Sequence, residues 1–205
     1  MFDECNTIER MVLSTLSPKW KYISADKLGR KYSDVMVEHM VGAALIRLNP
    51  EIAEEPDRAD EVIYKLRTII LSVLGEGLVH ANELLTEWFR GEHTMQFGKN
   101  GEHTTVRLFD FDNIHNNEFI ITNQWIFPKV DGGKRFDIVL LINGFPVVIG
   151  EAKTPVRPAV SWVDGADDIS NIYEKSVPQM FVSSVFSFAT EGKCYRYGSV
   201  RMPID

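Results

Sequence analysis

The stretch Arg135-Phe-Asp-Ile-Val-Leu-Leu-Ile-Asn-Gly-Phe-Pro-Val-Val-Ile-Gly-Glu-Ala-Lys153 decides the fold. Two apolar, β-branched runs flank an Asn-Gly turn signal, which predicts a hairpin. Three charged groups, Asp137, Glu151 and Lys153, stand at its far end. Charge carried into an apolar layer is costly unless it is paired or holds a metal. Two carboxylates and an amine are also the minimum set for magnesium-assisted phosphodiester cleavage. Asp137 and Glu151 would be the side-chain ligands, the Ala152 main-chain carbonyl a third, and Mg²⁺ the hard cation that suits such oxygens. Lys153 would orient or deprotonate the attacking water and offset developing negative charge.

Strand alternation puts Glu151 and Lys153 on one face. Asp137 joins them only if the paired residue numbers of the hairpin sum to an even value. A two-residue Asn143-Gly144 turn pairs Ile142 with Phe145, an odd sum, and turns Asp137 away. The sequence therefore requires either a three-residue loop with Gly144 left-handed, or a bulge near Pro146 or Gly150. The plain alternative is an ion pair at exposed strand ends, worth under about 1 kcal/mol. The apolar Val147-Val148-Ile149 run argues against it, because such a strand reads as buried on both faces.

Outward from the hairpin, the first hundred residues read as helical. Apolar positions recur at helical spacing over 3–16 and again in a second helix capped by Ser33 or Asp34, carrying Val37, Met40, Val41, Ala44, Leu45 and Leu48 and stopped by Asn49-Pro50. A third helix has Pro56 in its first turn and runs to Gly75, and a fourth spans about 79–89 and ends at Gly91. Strands are predicted over 104–109, 118–127, 136–142, 146–153, 180–188 and 193–197, with a helix over 164–174. Helices followed by strands crossed by one helix predict an α/β or α+β domain with a mixed sheet.

The chain has 205 residues and a net charge of −7, which opposes an autonomous sequence-independent DNA binder. A local excess of Lys129, Lys134, Arg135, Lys153 and Arg157 over Asp131, Asp137 and Glu151 would help a phosphate approach. Cys5 and Cys194 are the only cysteines, too far apart in sequence to suggest a disulfide framework or a structural zinc site. His93, His103 and His115 match no compact ligand spacing. With no signal peptide and no apolar run of about 18 residues, a cytoplasmic protein without membrane contact is expected.

Several segments in order carry a family resemblance: Val106-Arg-Leu-Phe-Asp-Phe-Asp-Asn-Ile-His-Asn-Asn-Glu-Phe119, Thr122-Asn-Gln-Trp-Ile126, Arg135-Phe-Asp-Ile-Val-Leu, Asn143-Gly-Phe-Pro-Val-Val-Ile-Gly-Glu-Ala-Lys153 and Val177-Pro-Gln-Met-Phe181. Ala44-Leu-Ile-Arg-Leu-Asn-Pro50 and Ala81-Asn-Glu83 join them upstream. Together they resemble the N-terminal PD-(D/E)xK nuclease domain of the restriction (motor) subunit of type I restriction enzymes. The resemblance implies a restriction-endonuclease-like mixed sheet flanked by helices, with a helical region over 1–103 packed on a nuclease core over 104–205 as one structural domain. It implies Mg²⁺-dependent endonucleolytic cleavage of double-stranded DNA, coupled in the full subunit to ATP-driven translocation, and assembly with modification and specificity subunits. Asp137, Glu151 and Lys153 match its catalytic motif, and Glu9 matches an acidic residue expected near the metal. Tyr173, Lys134, Arg135 and Arg157 are the candidate DNA contacts.

Two departures stand out. Phe136-Asp137 replaces the expected Pro-Asp, and Ile169 stands where a Gln should precede Tyr173 by four residues, with Asn171 the nearest amide. No Gly-x-x-x-x-Gly-Lys-Ser/Thr loop occurs, so ATP belongs to a longer subunit, and an excised domain is expected rather than a natural truncation. Two other readings remain open. One is another PD-(D/E)xK nuclease acting in repair or junction resolution, and the other is a dormant docking domain of the same fold.

Overall fold

The computed structural model describes residues 4–128, 133–154 and 160–202, and the side chains of all of these but 4–6. Helices α1 (Glu4–Leu16), α2 (Glu38–Leu48), α3 (Pro50–Glu54), α4 (Arg58–Glu76) and α5 (Leu78–Phe89) make up most of the first ninety residues. The strands are β1 (Lys21–Tyr22), β2 (Thr94–Met95), β3 (Thr104–Thr105), β4 (Phe119–Phe127), β5 (Lys134–Ile142), β6 (Phe145–Ala152), β7 (Phe186–Thr190) and β8 (Tyr195–Gly198). Six of them form one mixed sheet in the order β1-β4-β5-β6-β7-β8, with β1–β4 and β6–β7 parallel and the other pairs antiparallel. This is the expected α/β architecture. One apolar cluster runs from Leu28 through the helices to Phe188 in the sheet. Among the described residues no helix is long and apolar enough to cross a membrane.

The helical periodicity located α1, α2, α4 and α5, and the differences lie at their ends. Neither Ser33 nor Asp34 caps α2. Its entry is set by the hairpin instead, because the Val37 N–H donates to the Gly144 carbonyl at 2.8 Å. Pro50 does not stop the helical run but opens α3 from its first position, where a missing N–H costs nothing. Helix α4 passes Gly75 and ends at Gly77, whose φ of 88° breaks it.

Two predicted strands are displaced. Only Thr104–Thr105 of the 104–109 run pairs, because the buried Asn49 side chain takes both backbone groups of Arg107, at 2.7 and 2.9 Å. Likewise 178–181 is a 3-10 turn opened by Pro178, and the Asn82 amide holds the carbonyls of Val182 and Ser184 at 2.9 and 3.0 Å. The apolar Met180-Phe-Val182 run is therefore buried as a turn, and β7 begins only at Phe186.

The β5–β6 hairpin closes through two residues. Asn143 and Gly144 have φ of 51° and 87°, the signature of a type I′ turn. Ile142 pairs Phe145 and Leu141 pairs Pro146, but Leu140 pairs Val148, so Val147 is an extra residue in β6. This bulge beside Pro146 restores the even sum that the site requires, and it tolerates a proline that cannot donate to the ladder. Its carbonyls find partners from the turn before β7: Ser183 Oγ donates to Pro146 O at 2.7 Å and Val185 N to Val147 O at 2.8 Å.

The turn is pinned on all sides. Asn143 is fully buried, its Oδ1 accepting from Glu118 N at 2.8 Å and its Nδ2 donating to Leu108 O at 2.8 Å. A Cβ on Gly144 would lie 2.7 Å from Val37 O and 2.9 Å from Met40 Cβ. Gly144→Ala therefore combines left-handed strain with a clash against α2, and is expected to cost at least about 2 kcal/mol. A lower urea midpoint at unchanged slope would report it, and an unchanged midpoint would refute the account.

Candidate active site at the end of the central hairpin

Beyond the bulge Ile138 pairs Gly150, so the next step along the ladder sets Asp137 across from Glu151. Strand β6 lies between β5 and β7, buried along nearly its whole length, and delivers both ends of the Glu-Ala-Lys run to the same place. Asp137 and Glu151 are 7% and 5% exposed, so they are not a solvated strand-end pair. Asp137 Oδ2 accepts from the Ala152 N–H at 3.1 Å. Glu151 Oε1 accepts from Lys153 Nζ at 2.9 Å and from the Tyr173 hydroxyl at 3.3 Å. The acid, acid and amine thus converge.

A segment from Trp162 to Ser176 lies over this end of the sheet: α6 (Trp162–Asp167), a π turn (Asp168–Tyr173) and α7 (Glu174–Ser176). A Ser161–Asp164 capping box starts it, the Asp164 carboxylate accepting from Ser161 N at 2.6 Å. Gly165 allows the close approach. A Cβ there would sit 3.3 Å from Glu151 Cγ, 3.4 Å from Lys153 Cγ and 3.2 Å from Ala189 Cβ.

The remaining predicted residues divide. Glu9 on α1 is 2% exposed and is held by the Gln124 amide at 2.8 Å and the Asn123 amide at 3.2 Å. The neighbouring pairs Asn123–Ile138 and Trp125–Phe136 place Gln124 across from Asp137, and Gln124 has a φ of 55° inside its strand. Such strain in mid-strand persists only where the surroundings impose it. Tyr173 packs edge-on against Phe136 at 5.5 Å with its hydroxyl turned to Glu151, so it faces the carboxylates rather than solvent. Lys134 Nζ lies 5.4 Å from the Tyr173 ring, and Arg135 is exposed with a nitrogen 3.9 Å from Asp137 Oδ1. Arg157 lies outside the described residues.

Ile169, at the expected Gln position, is buried among apolar groups. Asn171 does not substitute for it, since its amide donates to Asp167 at 2.6 Å on the exposed side. The acid that does reach the site is Asp168, which meets Lys153 Nζ. Sequence reasoning missed it because five residues along an α-helix turn a side chain about 140° away from Tyr173. Asn123 and Gln124 lie in the 122–126 segment, whose sequence gives them no role, and only the fold shows them holding Glu9.

The electrostatics follow from burial. Desolvation, with the Asp137 charge second, pushes Glu151 up from 4.5 to about 7. Burial also raises Asp137, against the opposing Ala152 N–H and Arg135. Glu9 is raised by burial, opposed by its two amides. Burial works to lower Lys153, but the Asp168 hydrogen bond and the Glu151 charge outweigh it and raise the ammonium pKa. Tyr173 is raised by burial and then by the Glu151 charge, so its hydroxyl stays a donor.

Among the described residues no three or more His, Cys, Asp or Glu side chains are arranged to hold a metal ion. What the site offers is two buried carboxylates, Asp137 and Glu151. Their oxygens are hard donors, and the burial that raises both acids is the condition a divalent cation would relieve. The chemistry of these two donors fits magnesium.

Because folded Glu151 keeps its proton up to about 7 and the unfolded chain releases it near 4.5, stability falls as pH rises across that window. Glu151→Gln is expected to gain on the order of 1–3 kcal/mol at pH 8. The gain should shrink to nothing below about 4.5, where both forms are neutral. Thermal melts of both proteins across pH check the sign; a variant less stable at pH 8 would contradict it.

Comparison with known proteins supplies the context. Residues 1–203 match the family described as "Type I restriction enzyme R protein N terminus (HSDR_N)". The chain is 29% identical over 207 residues to the "Type I restriction enzyme HindI endonuclease subunit" of Haemophilus influenzae, covering 95% of this chain and 19% of that protein. It is 27% identical over 176 residues to the "Putative type I restriction enzyme MjaIXP endonuclease subunit" of Methanocaldococcus jannaschii, covering 82% of this chain and 16% of that one. It therefore spans about a fifth of the length of these relatives. With the mixed sheet and the hairpin site in place, and with nearly the whole sequence matched, the chain belongs to the family of type I restriction enzyme R protein N-terminal domains.

Proposed function

We propose that this domain is the nuclease of a type I restriction endonuclease subunit and cuts double-stranded DNA by magnesium-assisted hydrolysis. The observation that carries it is the Val147 bulge, which turns Asp137 onto the face of Glu151 and Lys153. A sheet built without that function has no evident need to bury two acids beside one another. In a full restriction subunit, cleavage would be coupled to ATP-driven translocation, with modification and specificity subunits as partners and the cytoplasm as its place.

Asp137 and Glu151, with the Ala152 carbonyl, would hold the magnesium ion. When bound, the ion supplies charge neutralisation at the phosphodiester and makes water easier to deprotonate. Glu9, clamped by Asn123 and Gln124, adds its negative charge to that of Asp137 at this end of the sheet, a field that would attract a cation. Lys153 stays protonated at neutral pH, so it serves as a hydrogen-bond donor and charge stabiliser rather than as a base. Tyr173 holds the Glu151 oxygen in place. Arg135, near the Asp137 carboxylate, and Lys134, over the Tyr173 ring, are suited to phosphate oxygens of the DNA backbone. The domain's net charge of −7 makes these contacts weak alone, and most of the DNA grip is assigned to the rest of the subunit.

Lys153→Ala, assembled with its partner subunits and supplied with magnesium and ATP, should lower double-strand cleavage of plasmid by at least about 10²-fold. ATP hydrolysis should be untouched, and cleavage at the wild-type rate would sink the proposal. Independently of activity, millimolar magnesium should raise the melting temperature of the wild-type protein through binding to the native state. Asp137→Asn should abolish that rise, and an equal shift in both proteins would place the cation elsewhere.

A further inference from the structure

We propose that Asp168, carried to the site by a π turn, is the positioning residue for Lys153; the inference rests on the nuclease reading above. Among the described residues, Lys153 Nζ has two carboxylate partners, Glu151 at 2.9 Å and Asp168. They are not equivalent. Glu151 would give its oxygens to the cation, which weakens its hold on the ammonium. Asp168 sits on the helical segment opposite and is no part of the ligand set. It would thus keep Lys153 in place when the cation is bound.

The backbone shows how Asp168 gets there. Within the π turn the Glu174 N–H bonds the Ile169 carbonyl five residues back, so the turn is one residue wider than an α turn. The widening brings Asp168 and Tyr173, five apart, onto one face, where the first meets Lys153 and the second meets Glu151 Oε1. With ordinary α geometry the acid and the phenol would point in different directions. Gly165 brings the segment close enough for both contacts. Ile169 is packed in the core and Asn171 is engaged with Asp167 and Lys175, so neither competes for the ammonium. A single-residue widening of a helix is uncommon and is found frequently at functional sites.

The test uses the full-length chain in its complex, with Asp168→Asn, Asp168→Glu, Asp168→Ala and Lys153→Ala. Single-turnover cleavage is followed against magnesium concentration, ATP hydrolysis is the check on integrity, and acetylation of Lys153 by acetic anhydride is followed by mass spectrometry. Asp168→Asn should slow cleavage at saturating magnesium by about 10–10²-fold, the scale of a misplaced catalytic group. It should leave the half-saturating magnesium concentration and ATP hydrolysis unchanged and speed acetylation of Lys153. Asp168→Glu should recover most of the rate that Asp168→Ala loses.

Wild-type or faster cleavage by Asp168→Asn beside an inactive Lys153→Ala would overturn the inference and leave the nuclease reading standing. A changed magnesium requirement would make Asp168 a ligand, and failure of the glutamate to rescue, or unchanged acetylation, would make it merely structural. Either result overturns the positioning role. Wild-type cleavage by both Asp168→Asn and Lys153→Ala would end the nuclease reading itself.

Discussion

A strand can change the face on which a side chain lies only by gaining or losing a residue from its ladder, and here β6 gains Val147. The type I′ turn at Asn143-Gly144 is the tightest closure these strands can have, yet by itself it would send Asp137 to the face opposite Glu151. The bulge reverses that parity halfway along the hairpin. Every contact between Asp137 and the Glu-Ala-Lys run depends on it, including the Ala152 N–H that binds the Asp137 carboxylate. The same displacement makes Pro146 tolerable in an interior strand.

The rest of the fold supports the irregularity. The carbonyls of Pro146 and Val147 are taken up by Ser183 and Val185, so the chain before β7 is committed to the bulge and cannot lengthen the strand. The Asn82 amide fixes the preceding turn from α5, and Asn143 ties the hairpin tip to the segments at 108 and 118. These amides work because an unpaired carbonyl in a dry interior costs about 1–3 kcal/mol, whereas one well-placed amide satisfies two or three groups at once. The helical half of the chain thus shapes the site indirectly, through turns and loops that it holds at fixed points.

The charge distribution has the same logic. Acids from α1, β5 and β6 are gathered at one end of the sheet and partly desolvated, while the cationic groups of Lys153 and Arg135 stand among them. Burial raises the acids, and the acids in turn raise the lysine. The ammonium is thereby kept as a donor, and the carboxylates are left in need of a counter-charge, an arrangement that concentrates at functional sites.

What the sequence determined by itself was pattern: helical periodicity in α1, α2, α4 and α5, β-branched runs in β4 to β6, and an acid, an acid and an amine at one end of a hairpin. It also stated its own condition, that a tight turn needs an added residue, because side-chain alternation has a period of two. Only the tertiary structure decided where that residue went, since a bulge is stable only if distant groups take its orphaned carbonyls. The strands expected at 104–109 and 180–188 were cut short for a related reason: Asn49 and Asn82, far away in sequence, take up backbone groups there that a neighbouring strand would otherwise pair. Asp168 stayed hidden because local spacing counts in α-helical turns, whereas in the fold it lies on a wider π turn, between Gly165 close against the sheet and the buried Ile169.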